Sequence, residues 1–354
     1  MNPLAERFPG LSTLPFVPLV DAPTEVHELS RLSAMTGVSC WVKREDKASP
    51  RYGGNKVRKL EWLMGDAREK HADVLVTTGA IGSNHVLATA IHGIKAGFGV
   101  HALLSPQPMT RHVEENLRAD LAVGATLMPI RASVLAPLAM RHHAATLERK
   151  GFRPYVIPHG GSSPIGILGY VNAGLELAAQ IERGEVPEPD VIVVALGSGG
   201  TASGLAIGLA AAGIPTPIHA VRATPAVVAN KIALGQEIRR TVRLLRDREP
   251  AFPEVTTAAL SRITIETSLY GDGYGTPHPE AARAKELAAA DGIQTDPTYT
   301  ARSFAYLVRL AEERRFRRPL YLATLSSADL GHLLRAAPMP ARWATSPRSW
   351  LRRR

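Results

Sequence analysis

A lysine follows two glycines and an asparagine in the stretch Gly53-Gly54-Asn55-Lys56, directly before an amphipathic run that continues to residue 64. Asn55 can cap a helix, and the glycines let the backbone pass close to a ligand. Lys56 is then expected in the first turn of that helix. A lysine that stabilised the helix dipole would stand in the last turn, so this position favours a chemical role. A solvated lysine at a loop–helix junction is the alternative.

A second candidate site is a loop rich in glycines and hydroxyls, which follows an apolar segment and precedes a helical one. Its residues are Gly197, Ser198, Gly199, Gly200 and Thr201. Backbone amides and hydroxyls at a helix N-terminus bind anions. The loop lacks the lysine of a Walker motif, and Ala202 stands where the dinucleotide fingerprint has its third glycine. A single phosphate monoester fits better than a pyrophosphate, and a tight turn without a ligand is the alternative.

Two other regions carry side chains suited to chemistry. Ser83, Asn84 and His85 put a hydroxyl, an amide and an imidazole at the end of a predicted strand, although Ser83 could simply cap the next helix. Tyr274 lies between glycines in a loop, and Tyr299 precedes a predicted helix; half-buried packing tyrosines are the alternative. No metal site is predicted, because the histidines lack a spacing such as H-E-x-x-H. A Ser-His-Asp triad from Ser83 stays open, although no G-x-S-x-G pattern surrounds it.

Strand-like and helical segments alternate along the chain after a loop-rich start at residues 1–35. Strands are predicted at residues 38–42, 73–78, 100–104, 126–130, 155–157, 191–196, 218–221, 263–267 and 320–324. Alternation with helices requires crossover connections and a mostly parallel sheet. The predicted fold class is therefore α/β, in which ligands bind beyond the carboxyl ends of strands.

Composition and charge limit the expected cellular location of the protein and the classes of partner that it binds. The chain has 354 residues, of which 45% are hydrophobic, enough for two lobes of an ordinary globular protein. Cys40 is the only cysteine, so a reducing, cytoplasmic setting is expected. No signal-peptide layout and no membrane-length apolar run are found, so no membrane contact is predicted. The net charge of +10 comes mainly from residues 302–354, with twelve arginines and three acidic residues, so nucleic-acid binding is not predicted.

A lysine at a helix start, a phosphate-binding loop and no metal pattern together indicate pyridoxal 5′-phosphate, held by the lysine as a Schiff base. The chain resembles the fold-type II pyridoxal-phosphate enzymes, and within them the D-cysteine desulfhydrase and 1-aminocyclopropane-1-carboxylate deaminase family. The resemblance runs from about residue 14 to residue 325. The motifs that carry it lie at residues 41–46, 53–61, 82–85, 160–162, 197–201, 271–275 and 297–300.

The resemblance implies a two-domain, tryptophan synthase beta-like fold with mostly parallel twisted sheets flanked by helices. Residues 1–57 and 162–354 would form a large cofactor-binding domain, and residues 58–161 a small domain that closes over the substrate. Closure would expel water from the site. A homodimer and a small amino-acid substrate are also implied.

The resemblance further implies a role for each candidate residue. Lys56 would hold the cofactor and move protons, Asn55 would lie near its 3′-oxygen, and Asn84 would lie against its ring. The phosphate would be bound by Gly197, Ser198, Gly199, Gly200 and Thr201. The substrate carboxylate would be received by Ser83, Asn84 and His85, with Ser83 near the reacting carbon. Tyr274 and Tyr299 match the paired active-site tyrosines of the family, which assist as acid or nucleophile and contact the substrate.

Thr300 separates the two branches of this family, because the deaminase pattern has a glutamate that keeps the pyridine nitrogen protonated. A neutral hydroxyl cannot hold that proton, so the ring is a weaker electron sink. This favours α,β-elimination, giving pyruvate, ammonia and sulfide from D-cysteine, or the related β-replacement. Deaminase-like ring opening is the alternative.

Several stretches depart from the pattern of the family, among them residues 50–52 and 163–164. Ala301 and Arg302 stand where glycine and lysine are usual, and residues 324–327 replace a threonine-glycine-glycine or similar stretch. These departures affect the expected identity of the substrate more than the expected type of reaction. With the arginine-rich end, they motivate an alternative of another class: a cofactor-bound protein without turnover that acts through its basic C-terminal segment.

Overall fold

The computed structural model describes residues 2–276 and 278–336, which form two β-sheets surrounded by helices. The strands are β1 (Val26–Glu28), β2 (Trp41–Lys43), β3 (Val74–Ala80), β4 (Gly99–Ser105), β5 (Thr126–Pro129), β6 (Pro154–Val156), β7 (Val191–Leu196), β8 (Ile218–Arg222), β9 (Ile263–Glu266) and β10 (Pro319–Leu322).

The helices connect these strands on both sides of the sheets. They are α1 (Pro3–Arg7), α2 (Ser30–Thr36), α3 (Asn55–Glu69), α4 (Asn84–Lys95), α5 (Arg111–Ala122), α6 (Ala136–Glu148), α7 (Pro164–Glu182), α8 (Gly200–Ala212), α9 (Lys231–Arg248), α10 (Thr256–Ser261), α11 (Pro279–Ala290), α12 (Thr300–Glu312) and α13 (Gly331–Ala336). Within the described ranges, no helix has both the length and the apolar composition that crossing a bilayer requires.

The larger sheet has the strand order β1-β2-β10-β7-β8-β9, and only β1 and β2 pair antiparallel. The smaller sheet has the order β5-β4-β3-β6 and is parallel throughout. All six residues of β7 are apolar and buried, as a central strand covered by helices on both faces requires. The predicted α/β class with mostly parallel sheets is confirmed.

The smaller sheet and its helices come from the middle of the chain, and the larger sheet comes from both ends. The strands β3 to β6 all lie between the boundaries expected at residues 57/58 and 161/162. The helix α3 packs against α7 on one side and α4 on the other, and so joins the two halves. After β10 the chain returns to the smaller sheet, where α13 packs against α5. The division into two domains stays a prediction.

The first 35 residues contain more regular structure than the sequence pattern indicates. They form α1, β1 and α2, whereas a loop-rich segment was expected. The strand β1 has only three residues, and its pairing with β2 is a tertiary contact that no local periodicity reveals. Five of the twelve arginines of residues 302–354 lie outside the described residues, from residue 337 onward.

A network of buried charges fixes α3 to the elements around the larger sheet. Arg58 donates from Nε to Glu45 Oε2 at 2.6 Å and from Nη2 to Glu45 Oε1 at 2.8 Å. Its Nη1 and Nη2 also donate to Glu176 at 3.0 and 2.9 Å, and Lys43 Nζ donates to Glu176 Oε1 at 2.6 Å. Burial alone would raise the pKa of Glu176, but the charges of Arg58 and Lys43 outweigh burial and lower it.

Replacing Arg58 is expected to destabilise the protein strongly, because Arg58→Met leaves the carboxylates of Glu45 and Glu176 buried without their main partner. Breaking such a pair costs about 3–5 kcal/mol in the free energy of unfolding. Urea unfolding followed by circular dichroism measures the loss. The control is Arg7→Met, since Arg7 pairs with Glu182 at 3.8 Å on the surface and such pairs contribute at most about 1 kcal/mol. Equal losses of unfolding free energy in the two variants would contradict the stabilising role given to the buried Arg58 network.

Candidate active site

The loop before Lys56 is held where the strands β2 and β10 end. The N–H of Gly54 donates to Glu45 O at 2.8 Å, and the N–H of Asn55 donates to Thr324 O at 3.1 Å. Gly54 has a φ of +80°, and a Cβ there would lie 2.7 Å from Thr324 O, so a side chain is excluded on both grounds. Gly54, and not Asn55, occupies the N-cap position of α3. The sequence-based idea that Asn55 caps the helix is therefore wrong.

The Asn55 side chain instead joins Lys56 to the glycine-rich loop. Asn55 Oδ1 accepts a hydrogen bond from Lys56 Nζ at 3.0 Å, and Asn55 Nδ2 donates to Thr201 Oγ1 at 3.0 Å. Burial lowers the pKa of Lys56 to about 8, although the negative charge of Asp296 opposes the shift. At pH 7 roughly a tenth of Lys56 is then a neutral, nucleophilic amine, against far less than about 1% of an ordinary lysine.

The glycine-rich loop forms an open cradle between the end of β7 and the start of α8. Gly199 has a φ of +94°, and a Cβ on Gly200 would lie 2.5 Å from Ser162 Oγ and 2.9 Å from Lys59 Nζ. Ser162 Oγ contacts Ser198 Oγ at 2.7 Å and accepts from the N–H of Gly200 at 3.2 Å. The first N–H groups of α8 have no intrahelical partners. Amides and hydroxyls thus converge as they do in an anion site.

Lys59 is a second lysine beside this cradle, and the sequence analysis gave it no role. Its Nζ donates to Gly160 O at 3.1 Å and to Ser162 Oγ at 3.2 Å. Burial, and then the positive charge of Lys56, lower its pKa well below the usual range. The sequence could have indicated a role for Lys59, because it lies three residues after Lys56 and residues three apart on a helix share a face.

The amide of Asn84 is oriented by two side chains of α5. Asn84 Oδ1 accepts from Asn116 Nδ2 at 2.8 Å, and His112 Nε2 lies 3.0 Å from the same oxygen. The oxygen of the Asn84 amide is thus engaged by α5, which leaves its Nδ2 donors for a ligand. Ser83 is the N-cap of α4 and accepts from the N–H of Val86 at 3.4 Å.

The imidazole of His85 is turned into the interior. Its Nε2 lies 3.0 Å from Thr77 Oγ1, which itself donates to Ile157 O at 3.3 Å, so Nε2 carries the proton. Burial, and then the charges of Lys56 and Lys59, lower the pKa of His85 well below the usual range. The ring is neutral, and the N–H that His85 can offer an anion is the one on its backbone, in the first turn of α4.

The two predicted tyrosines meet at the cleft. Tyr299 OH donates to Tyr274 OH at 3.0 Å, with ring centroids 5.9 Å apart and planes at 74°. Burial raises the pKa of Tyr274 and raises that of Tyr299 well above the usual range. Both hydroxyls are protonated at neutral pH. Because Tyr299 donates its proton to Tyr274, the Tyr274 proton is the one available to the cleft.

Asp296 is a buried carboxylate that the sequence analysis missed. Its Oδ1 accepts from the backbone N–H groups of Thr298 and Tyr299 at 2.9 and 2.8 Å. Its Oδ2 accepts from the N–H of Thr300 at 3.2 Å and from Thr300 Oγ1 at 2.8 Å. The N–H of Asp296 donates back to Thr300 Oγ1 at 2.7 Å. An aspartate shortly before a helix is the usual signal of such a side chain-to-backbone turn.

One cleft collects these groups. Of the predicted site residues it is lined by Asn55, Lys56, Ser83, Asn84, His85, Gly197, Ser198, Gly199, Thr201, Tyr274, Tyr299 and Thr300. Gly200 does not line it, because its N–H is held by Ser162. The unpredicted lining residues include Lys59, His159, Asp296 and Thr324. Across residues 2–276 and 278–336, no cluster of histidine, cysteine and acidic side chains could hold a metal ion.

These residues fit a phosphorylated aldehyde. Lys56 offers a neutral amine, the α8 N-terminus offers donors for a phosphate, and a Cβ on Gly200 would collide with Ser162 and Lys59 beside that cradle. A fold of this kind with such a site defines a fold-type II pyridoxal-phosphate enzyme. The chain belongs to the family of pyridoxal-phosphate dependent enzymes, whose model matches residues 17–326.

Proteins of known name are similar in sequence to most of this chain, and one solved structure has a similar fold. A D-cysteine desulfhydrase of Salmonella schwarzengrund is 38% identical over 315 residues, which cover 86% of this chain and 91% of the relative. A D-cysteine desulfhydrase of Klebsiella pneumoniae is 37% identical over 317 residues, covering 87% and 92%. The crystal structure of a homologue of 1-aminocyclopropane-1-carboxylate (ACC) deaminase is 31% identical, with a TM-score of 0.79 and coverage of 93% of this chain and 98% of that one.

Covalent capture of pyridoxal phosphate by the cofactor-free protein is expected to follow the protonation of Lys56. With a pKa of about 8, capture should rise as the pH increases through 8 and level off above it. An ordinary lysine with a pKa of about 10.4 is less than about 1% neutral at that pH. Borohydride trapping across pH 6–10, followed by peptide mass spectrometry, measures the modified fraction at residue 56.

The matched variant is Lys56→Ala, which should lose the modified peptide. Trapping that increases only near pH 10, or that falls mainly on another lysine, would contradict the role of Lys56 and the cause of its lowered pKa.

Proposed function

We propose that the protein is a desulfhydrase that eliminates sulfide from D-cysteine, with water consumed and pyruvate and ammonia formed. The observation that carries this proposal is the pairing of Thr300 with Asp296. All four acceptor positions of the Asp296 carboxylate are used by Thr300 and its neighbours. This carboxylate is therefore not available to protonate a pyridine ring, and Thr300 offers only a neutral hydroxyl. The two relatives named as D-cysteine desulfhydrases support the same assignment.

The cofactor would be held at both ends by residues already described. Its phosphate would bind to Gly197, Ser198, Gly199 and Thr201 at the start of α8, and its aldehyde would bind to Lys56. Asn55 and Asn84 would contact the ring system, and Thr300 would face the ring nitrogen. When bound, pyridoxal phosphate supplies an electron sink for the bond that breaks at the α-carbon.

The substrate carboxylate would be received at the N-terminus of α4. Ser83 offers a hydroxyl, Asn84 offers its Nδ2 donors, and His85 offers a backbone N–H. The helix dipole favours a negative group at this end. A carboxylate held there would have its α-carbon fixed relative to Lys56, whose neutral amine can accept the α-proton. Ser83 is the other candidate base.

The leaving sulfur needs a proton, and Tyr274 is the candidate donor. Its hydroxyl faces the cleft and accepts a hydrogen bond from Tyr299 at 3.0 Å. That bond makes the Tyr274 proton a better donor, since hydrogen bonds in a chain polarise one another. With the raised pKa of Tyr274, the donor stays protonated at neutral pH.

Ring opening of 1-aminocyclopropane-1-carboxylate is the second candidate function, because the structurally similar protein is described as a homologue of ACC deaminase. That reaction demands a longer-lived carbanion, which a neutral partner at the ring nitrogen stabilises poorly. Thr300 therefore favours the elimination.

Purified protein supplied with pyridoxal phosphate is expected to release pyruvate and sulfide in equal amounts from D-cysteine. It is expected to release little from 1-aminocyclopropane-1-carboxylate, because no carboxylate is free to protonate the ring. Coupled assays of pyruvate and of sulfide measure both, with L-cysteine as the stereochemical control and Lys56→Ala as the inactive variant. Faster turnover of the cyclopropane substrate would favour the deaminase, and binding of cofactor without turnover of any amino acid would favour the non-catalytic alternative.

Asn116 is expected to affect substrate binding more than turnover, because its Nδ2 orients Asn84. Asn116→Leu should raise KM for D-cysteine about tenfold, as expected for the loss of about 1.4 kcal/mol from one buried hydrogen bond, with a smaller change in kcat. The matched control is Asn172→Leu, since Asn172 is also buried and accepts from the N–H of Leu4 at 2.8 Å outside the cleft. A similar KM change in both variants would mean that Asn116 is only structural.

The homodimer, the cytoplasmic location and the closure of residues 58–161 over the substrate belong to this proposal. The helix α3, which carries Lys56 and contacts both halves, supports the closure. Sedimentation of the purified protein tests the dimer.

A further inference from the structure

Arg302 is a fully buried arginine whose shortest hydrogen bonds go to backbone carbonyls. Its Nη2 also lies 3.4 Å from Thr276 Oγ1, and its guanidinium lies 6.0 Å from the centre of the Tyr270 ring. Its Nη1 donates to Tyr270 O at 2.6 Å. Its Nη2 donates to Thr276 O at 2.6 Å and to Gly273 O at 3.2 Å. Its relative exposure is 0%, and among the described residues it forms no ion pair with a carboxylate. Its Nε has no partner there either. A buried charge with only neutral partners is costly to the folded state, and hydrogen bonds from a charged donor are stronger than those from a neutral one.

The carbonyls belong to the loop that carries Tyr274. Within that loop Gly271, Gly273 and Gly275 have φ values of +62°, +146° and +74°. Glycine loses more backbone freedom on ordering than any other residue, so a segment with three of them needs external anchors. Arg302 thus binds the loop at three positions around Tyr274: at Tyr270, at Gly273 and at Thr276.

Arg302, in the first turn of α12, and Tyr299, the N-cap residue of that helix, both contact the Tyr274 loop. Arg302 lies three residues after Tyr299, whose hydroxyl donates to Tyr274 OH at 3.0 Å. The guanidinium therefore fixes the backbone of the Tyr274 loop to the helix that presents the second tyrosine. Without it the loop keeps its glycines but loses the three bonds that set the distance between the two hydroxyls.

We propose that Arg302 is a positioning residue that holds Tyr274 against Tyr299, so that the Tyr274 hydroxyl meets the leaving group of the substrate. The proposal rests on the proposed function only for the role of Tyr274. An arginine suits this position because its planar fork reaches several acceptors at once, whereas a lysine presents one compact charge. The arginine at a position where the family pattern has lysine thus fits the geometry of the loop.

Hydrogen–deuterium exchange of the full-length protein tests the anchoring without any turnover. In Arg302→Met, the peptide that covers residues 270–276 is expected to exchange about tenfold faster, while peptides from β7 and α8 stay unchanged. In Arg302→Lys, the exchange rate of this peptide should lie between that of the unchanged protein and that of Arg302→Met. The control is Arg222→Met, because the Arg222 guanidinium lies 5.2 Å from the centre of the Tyr270 ring and so touches the same loop through a side chain. Unchanged loop exchange, or faster exchange throughout the molecule, would overturn the proposal.

A double-mutant cycle with Tyr274→Phe tests whether Arg302 acts through that tyrosine. Each single variant is expected to lower kcat for D-cysteine, and the double variant should be no slower than Tyr274→Phe alone. Multiplicative losses would show that Arg302 acts by another route and would overturn the proposal. If no variant, the unchanged protein included, turns over D-cysteine, the proposed function fails. The exchange measurement then still decides whether Arg302 anchors the loop.

Discussion

The start of α3 is held by hydrogen bonds from the backbone N–H groups of Gly54 and Asn55 to the chain segments that follow β2 and β10. Because an α-helix advances by 3.6 residues per turn, fixing its first residue fixes the direction of every side chain in the next two turns. Lys56 then faces the cleft, Arg58 faces the buried carboxylates, and Lys59 faces the phosphate cradle. A shift by one residue would break all three arrangements, so the fold and the site depend on one junction.

The cleft gathers basic side chains that disfavour one another's positive charge. The pKa of Lys59 is lowered by burial and then by Lys56, and those of His85 and His159 are lowered by burial and then by both lysines. A phosphate carries about −1.5 to −2 charges at pH 7. Its binding would relieve this repulsion, so we expect the binding of cofactor to be accompanied by the uptake of protons. The free energy that binding contributes also stabilises the folded state, by mass action.

The parts of the site that follow a strand–loop–helix pattern could be predicted from the sequence, because glycines, hydroxyls and the lysine lie within a few residues of one another. The fold class followed from the same alternation. The missed groups are of a different kind: Asn116 and Ser162 reach the site only through tertiary packing, and the capping role expected for Asn55 was lost to Gly54, whose position depends on Thr324 across the sheet. Asp296 could have been found, since an aspartate just before a helix start is a local signal.

In the proposed reaction, the first turn of α12 would set both the strength of the electron sink and the supply of a proton. Thr300 is neutral and is held by Asp296, whose oxygens are fully used. Where the electron sink is weak, little negative charge can be stored before the leaving group departs. The sulfur must then receive its proton as the α-proton is removed, which requires a donor already in position. Arg302, on the same turn, would meet that condition by fixing the loop of Tyr274. In the proposed reaction a neutral Thr300 and a rigid tyrosine loop would therefore be needed together, because a weak electron sink without a positioned proton donor would leave the elimination slow.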